Sequence, residues 1–185
     1  MRPDLVVRIV PFMAVYLAVY LLETRRAPLG FSAGRLDVQL AFAAVAAPLL
    51  FTAAACAQLL LTRRRGVLNV PANGGDAWFQ AGYYALNGPV EEAFFRGLLQ
   101  GGLGALWGAP IGLAIGTITY VLYHRLGRWT WPDTIATALV GVPLGLAFWL
   151  LPGPASLLGI SIAHIAATCG FLGPGPYLLR KLGFV

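Results

Sequence analysis

The sequence predicts an all-α fold, a polytopic bundle of about six transmembrane helices with one short interfacial helix. Of the 185 residues, 58% are hydrophobic and only 11% are charged, whereas a soluble domain carries about 25% charged residues. The apolar residues form continuous runs instead of alternating with polar ones. This pattern favours helices, because only helices and closed barrels satisfy the backbone in hydrocarbon. The length indicates a single domain over residues 1–185.

Six apolar runs approach the roughly 20 residues that cross a bilayer. They cover about 5–22, 37–61, 89–107, 109–124, 134–151 and 155–172. The first run is too long for a signal peptide core and is followed by Arg25 and Arg26, so we expect an uncleaved span. Between the second and third runs, a turn at 70–75 precedes Asp76. We expect Asp76 to cap the short interfacial helix, whose aromatic residues suit the headgroup region.

Basic residues in the loops predict the orientation. With six spans, one side receives Arg2, Arg63, Arg64, Arg65, Arg125, Arg128, Arg180 and Lys181, and the other receives Arg25, Arg26 and Arg35. This excess predicts that both termini lie in the cytoplasm. The short chain and its arginine bias are typical of bacteria, so the predicted location is a bacterial inner membrane. Nucleic-acid binding is not expected, because no basic stripe is interleaved with aromatic residues.

Small residues recur at four-residue spacing, which lets helices approach closely in lipid. The pairs are Gly97 and Gly101, Gly104 and Gly108, Gly112 and Gly116, and Gly141 and Gly145. Cys56 and Cys169 lie inside apolar runs, where we expect packing residues and no disulfide.

The third run contains two adjacent glutamates, Glu91 and Glu92. A carboxylate in a bilayer costs several kcal/mol unless it is paired or exposed to a polar cavity, and such residues are usually functional. Pro89 is expected in the first helical turn, where the helix dipole would favour both negative charges. Glu92 and Arg96 are four residues apart and can pair, whereas Glu91 points about 100° away around the helix. The alternative is that both glutamates only neutralise Arg96 and cap the helix.

The two histidines belong to other apolar runs. His124 ends the fourth run, four residues after Tyr120, and His164 lies in the sixth run, four residues before Thr168. A lone histidine is often only a satisfied core residue, but the six-span topology brings both histidines and the glutamates to one half of the bundle. A carboxylate there can deprotonate water, and imidazole or hydroxyl groups can donate hydrogen bonds to an oxyanion.

These motifs, Glu91-Glu92-x-x-x-Arg96, Tyr120-x-x-x-His124 and His164-x-x-x-Thr168, resemble the CPBP family over about residues 80–172. That family contains CAAX prenyl endopeptidases and bacteriocin-processing intramembrane proteases.

The resemblance implies a glutamic-type intramembrane endopeptidase. In it, Glu91 is the general base, His124 helps to hold the water, and His164 and Thr168 stabilise the oxyanion, while Glu92 and Arg96 support the site. Tyr120 stands where the family usually has Phe, and Thr168 where it usually has Asn. The resemblance further implies no cofactor and a peptide or protein substrate with a membrane-embedded or lipid-modified tail.

Other functions remain open at this point. Two histidines and a glutamate can bind zinc, although no His-Glu-x-x-His is present. A serine or cysteine protease would use Ser156, Ser161 or Cys169 near His164, but Gly-x-Ser-x-Gly is absent. The chain could also be a non-catalytic scaffold or immunity protein, or a proton-coupled carrier, although no inverted repeat supports a carrier.

Overall fold

The computed structural model describes residues 5–23, 25–66, 69–127 and 129–184, and every regular element within these residues is helical. The α-helices are α1 (Val10–Leu22), α2 (Leu36–Arg65), α3 (Gly74–Glu92), α4 (Leu103–Trp107), α5 (Ala109–Tyr123), α6 (Trp131–Ala136), α7 (Ala138–Leu150), α8 (Leu158–Phe171) and α9 (Pro174–Lys181). Two segments are π-helical, Leu5–Ile9 and Ala93–Gly102, and two short turns are 3₁₀-helical, Ala27–Leu29 and His124–Gly127. The prediction of an all-α chain is therefore confirmed for the described residues.

By length and composition, two described helical segments can cross a membrane, namely α2 and the joined α6–α7 unit. A third is possible if α8 and α9, which are bent by 44° relative to each other, form one span. The six predicted runs all contain helix, but the count of about six spans is not confirmed. Only 17% of the most apolar part of α2 is buried inside the molecule. Most of this apolar helix therefore faces outward, as expected for contact with lipid.

Helix α3 corrects three expectations about the third run. It begins at Gly74 and continues through Pro89, so the predicted start at Pro89 is wrong. The predicted short interfacial helix is not separate, because it is the first part of α3. Asn73 is the N-cap, and its side chain accepts a hydrogen bond from the Asp76 backbone N–H at 2.9 Å. The Asp76 carboxylate instead accepts from the Ala72 backbone N–H at 2.9 Å.

The position of the glutamates along this helix also differs from the expectation. Glu91 and Glu92 end α3, where it continues directly into the π-helical segment Ala93–Gly102. They are far from any helix N-terminus, so the expected stabilisation by the helix dipole does not apply. Their charges must be balanced by nearby side chains instead.

The packing of the helices brings parts of α3, α5 and α8 close together. Helix α8 lies along α2 and also packs against α3, while the π-helical segment after α3 packs against α5. Tyr16, Leu144 and Ile160 are fully buried in the apolar core. The ends of α3 and α5 and the middle of α8 are therefore close together.

Close contacts between helices occur at three of the four predicted glycine pairs. A Cβ atom at Gly97 would lie 2.6 Å from the Leu29 carbonyl oxygen, and one at Gly141 would lie 2.8 Å from the Tyr120 ring. Gly108 makes no close contact of this kind, because a Cβ atom there would have its nearest neighbour 4.0 Å away. This glycine ends α4 with a φ of 99°. Small side chains thus permit the close packing of most of the bundle.

Two further expectations concern cysteines and topology. Cys56 and Cys169 are both free, in agreement with the prediction of no disulfide. Arg2 and Arg128, which contribute to the orientation argument, lie outside the described residues. The cytoplasmic placement of both termini stays a prediction.

Candidate active site

A cavity of about 470 Å³ lies among α1, α2, α3, α5, α7 and α8. Its lining includes all four residues predicted to be catalytic, Glu91, His124, His164 and Thr168. Most of the other lining residues are apolar or aromatic. The structure therefore gathers these four polar groups from three helices at a single, largely apolar cavity.

Glu91 reaches the cavity with one of its two carboxylate oxygens already occupied. Oε1 accepts hydrogen bonds from Asn87 Nδ2 at 2.8 Å and from the Tyr123 hydroxyl at 2.5 Å. The same oxygen lies 2.5 Å from Nη1 of Arg8. Oε2 lies 3.5 Å from Nε2 of His164. Oε2 is therefore the oxygen with room for a further partner on the cavity side.

Glu92 lies behind the cavity wall and is fully buried. Its Oε2 lies 3.4 Å from Nε of Arg96, as the four-residue spacing predicts, but this ion pair lacks hydrogen-bond geometry. Its Oε1 accepts a hydrogen bond from Nδ1 of His164 at 2.6 Å. Glu92 therefore has a second partner besides Arg96, and its shortest contact orients His164.

Arg96 is also fully buried and joins several helices. Its Nη2 donates to the Gly141 carbonyl oxygen at 2.8 Å and its Nη1 to the Thr117 hydroxyl at 3.3 Å. The guanidinium lies over the Tyr120 ring, 5.1 Å from the ring centre. Arg96 therefore holds α5 and α7 against the helix that carries the glutamates.

His124 begins the 3₁₀ turn that follows α5. Its Nδ1 donates to the Tyr120 carbonyl oxygen at 2.8 Å, since a carbonyl can only accept. The ring packs edge-on against Tyr123 and Trp129, with centroid separations of 4.6 and 4.9 Å. In neutral imidazole, Nε2 is then the nitrogen that can accept a proton or a hydrogen bond from water.

His164 is held between the two glutamates. Nδ1 faces Glu92, and Nε2 faces Glu91 and the Tyr120 hydroxyl, which lies 3.4 Å away. Thr168 follows one helical turn later on the same cavity wall. The two side chains that the sequence pairs by spacing therefore border the same space.

Three residues that contact Glu91 were not predicted from the sequence, namely Arg8, Asn87 and Tyr123. A signal for Arg8 was available, because a charged residue within an apolar run is as unusual as the glutamates themselves. Asn87 precedes Glu91 by four residues, which also places it on the same helix face. Tyr123 had no such signal, because its contact depends on how α5 packs against α3.

Carboxylates and imidazoles are groups that can bind a metal ion. Among the described residues, no group of three or more His, Cys, Asp and Glu side chains is arranged to hold a metal ion. The two ring nitrogens of His164 face the carboxylates of Glu91 and Glu92 on opposite sides of the ring. These groups therefore do not point toward one common centre.

The fold is helical and its apolar surface faces outward, as in a membrane protein. Its interior contains a site of buried carboxylates and imidazoles. The model of the family described as type II CAAX prenyl endopeptidase Rce1-like matches residues 73–169, which is more than half of the chain. The chain therefore belongs to the Rce1-like family of type II CAAX prenyl endopeptidases. No curated protein and no solved structure matches it significantly.

Family membership and the apolar helices indicate an integral membrane protein. The family also indicates a CAAX-type intramembrane protease, whose substrate is a peptide or protein. All seven residues of the three sequence motifs lie inside the matched region, whereas Arg8 lies outside it.

Proposed function

We propose that the chain is a glutamic-type intramembrane endopeptidase that hydrolyses its substrate with water activated by Glu91 and His124. The observation that carries this proposal is the shared cavity, at which Glu91, His124, His164 and Thr168 meet from three helices. General acid–base catalysis needs these groups within reach of one water and one carbonyl. A largely apolar wall strengthens their electrostatic interactions.

The proposed reaction consumes one water molecule and breaks one peptide C–N bond. Glu91 takes a proton from the water, which Nε2 of His124 helps to hold, and the water oxygen bonds to the scissile carbonyl carbon. The Thr168 hydroxyl and Nε2 of the protonated His164 ring donate hydrogen bonds to the resulting oxyanion. Nε2 needs its own proton for this role, because the Nδ1 proton is already donated to Glu92. The C–N bond then breaks, and the proton passes from Glu91 to the leaving nitrogen, which gives a new carboxylate and a new amine.

The remaining members of the motifs have supporting roles in this proposal. Glu92 fixes the ring of His164 through Nδ1, and Arg96 holds Glu92 and the neighbouring helices in place. Tyr120 adds a hydroxyl near Nε2 of His164. The scheme uses no metal or cofactor.

The proposed substrate carries a membrane-embedded or lipid-modified tail, and the proposed location is the bacterial inner membrane with both termini in the cytoplasm. The apolar lining of the cavity supports such a substrate, because an acyl or prenyl group or an apolar peptide segment would be buried there.

The test is cleavage by the purified full chain in liposomes. The probe is a synthetic peptide that ends in S-farnesylcysteine followed by three aliphatic residues, and mass spectrometry measures the released fragment. We expect Glu91→Gln to lower the rate by about 10²–10⁴-fold, because a general base contributes that much. Glu23→Gln, the same change at an exposed position at the end of α1, is the matched control.

Three outcomes would contradict the proposal. Cleavage that survives in both Glu91→Gln and His124→Ala would remove the glutamate mechanism. Cleavage that stops with a strong chelator and returns with zinc would favour the metal-dependent alternative. If the peptide binds specifically to the protein but stays intact with the unmodified chain and with every variant, the result would favour a non-catalytic scaffold.

A further inference from the structure

We propose that the groove between the end of α2 and the start of the α6–α7 unit binds one anionic phospholipid, with the lipid phosphate at Arg64. The groove has a volume of about 680 Å³, and every described residue that lines it belongs to one of these two segments. The four residues proposed to be catalytic line the other cavity and not this groove. The inference therefore does not depend on the proposed function.

Both walls of the groove belong to segments that can cross a membrane. By length and composition, α2 and the joined α6–α7 unit are two such segments in the described part of the chain. The Arg65 guanidinium donates two hydrogen bonds of 2.6 Å to the Asp133 carboxylate, which joins the last turn of α2 to the first turn of α6. The two segments therefore leave this junction in the same direction, and the groove between them opens toward lipid.

The groove is polar at one end and apolar at the other. Arg64 and Trp131 line it from the last turn of α2 and the first turn of α6, and basic and aromatic side chains of this kind are typical of the headgroup level. Leu61, Ile135 and Leu139 line it farther along the two segments. Ile135 is 63% exposed and Leu139 is 53% exposed. An acyl chain would cover these apolar side chains while the phosphate stays at Arg64.

The charges at the polar end favour an anionic headgroup. Both carboxylate oxygens of Asp133 already accept from Arg65. Arg64 and Arg125 are exposed, and neither forms an ion pair with a carboxylate in the described part of the chain. The Arg125 guanidinium lies over the Trp131 ring, 4.8 Å from its centre. Arginine binds phosphate through parallel hydrogen bonds, and an anionic lipid has no cation of its own to compete for that phosphate.

The basic end of α2 contains a matched control for this site. Arg63 precedes Arg64 and is also exposed, but it does not line the groove. General attraction to an anionic membrane surface would use the two arginines alike, because each adds one charge at the same level. A lipid held in the groove would depend on Arg64 more than on Arg63.

The test is native mass spectrometry of the purified full chain in detergent micelles. The probes are dioleoyl phosphatidylglycerol and dioleoyl phosphatidylcholine, which have the same acyl chains and differ in net charge. Titration gives the Kd of the first bound lipid. Glycerol 3-phosphate, which has the phosphate without acyl chains, is the competitor, and the same spectra report whether the chain is a monomer or a dimer.

We expect the unmodified chain to bind phosphatidylglycerol more tightly than phosphatidylcholine. Arg64→Gln should weaken phosphatidylglycerol binding about fivefold, the effect of one basic residue near an anionic lipid surface. The same variant should hardly change phosphatidylcholine binding. Arg63→Gln should change neither affinity by more than about twofold, because its loss acts only through general attraction.

A second substitution tests the apolar end of the groove. Ile135→Trp would fill the space that an acyl chain needs, and it should weaken the binding of both phospholipids. Ile118→Trp is the control, because it makes the same change at an exposed position of α5 that does not line the groove. It should leave both affinities unchanged.

Equal losses in Arg64→Gln and Arg63→Gln would overturn the inference, since they would show general attraction without a site. Equal affinities of the unmodified chain for the two phospholipids would also overturn it. Displacement of phosphatidylglycerol by an equal concentration of glycerol 3-phosphate would identify a site for free phosphate instead. A dimer that excludes the lipid would make a second copy of the chain the occupant, and either result rejects the phospholipid.

Discussion

The two glutamates differ in access and in partners although they are adjacent in sequence. Glu91 belongs to a cavity cluster with His124, His164 and Thr168, which line the same space. Glu92 belongs to a buried cluster with Arg96 and lies outside the cavity lining. A single residue step around a helix therefore separates a carboxylate that lines the cavity from one that is buried within the bundle.

His164 is the residue that joins the two clusters. One ring nitrogen is held by Glu92 at 2.6 Å, and the other faces Glu91 and the cavity. The buried cluster therefore orients a side chain of the cavity cluster. Substitutions in the buried cluster should therefore mainly lower stability, whereas substitutions in the cavity cluster should mainly lower activity.

The largest effect on stability is expected from Arg96→Met. This change keeps much of the apolar volume but leaves the buried Glu92 carboxylate without its cation, which should lower the free energy of unfolding by about 3–5 kcal/mol. Unfolding of the purified protein in detergent measures the loss. Arg35→Met is the control, since the Arg35–Asp37 pair is exposed and its loss should hardly matter. Equal effects of the two changes would break the distinction between the clusters.

Thr168→Val tests the cavity cluster with a change of nearly equal shape. Loss of one donor to the oxyanion should lower the cleavage rate by about 10²–10³-fold, while the free energy of unfolding stays nearly the same. Thr52→Val makes the same chemical change at an exposed position of α2 that does not line the cavity. A Thr168→Val enzyme with a normal rate would show that the hydroxyl plays no part in oxyanion stabilisation.

Gly141→Ala should have a smaller effect on the buried cluster. The new methyl group would lie 2.8 Å from the buried Tyr120 ring, and such overpacking costs about 1–3 kcal/mol. Gly82→Ala on α3 is the matched comparison, because no atom lies within 4 Å of its added methyl. That change should stabilise the helix by about 0.5–1 kcal/mol. If both substitutions stabilise the protein, the close contact at Gly141 is wrong.

The sequence predicted the helical class, and five of the six apolar runs correspond to helices within a few residues of the expected bounds. It failed at Pro89, because a proline inside a packed helix looks like a helix start when only local preference is considered. It also failed at Asp76, because Asn73 competes for the same capping role and begins the helix earlier.

The site was predictable as far as spacing determines which residues share a helix face. The pairing of Glu92 with Arg96 and the neighbouring positions of His164 and Thr168 follow from four-residue steps. The contact of Glu92 with His164 and the donors to Glu91 from Arg8 and Tyr123 depend on packing between helices. Such contacts cannot be obtained from periodicity within one run.

The most direct test of the difference between the clusters compares Glu91→Gln with Glu92→Gln in two measurements on the same preparations. These are the cleavage rate in liposomes and the free energy of unfolding in detergent. We predict that Glu91→Gln lowers the cleavage rate by about 10²–10⁴-fold and changes stability by about 1 kcal/mol or less, because Arg8 stays partly exposed. We also predict that Glu92→Gln lowers stability by about 3–5 kcal/mol, because Arg96 stays buried without a counter-charge. The reverse pattern, with an active Glu91→Gln and an inactive but fully stable Glu92→Gln, would contradict both predictions.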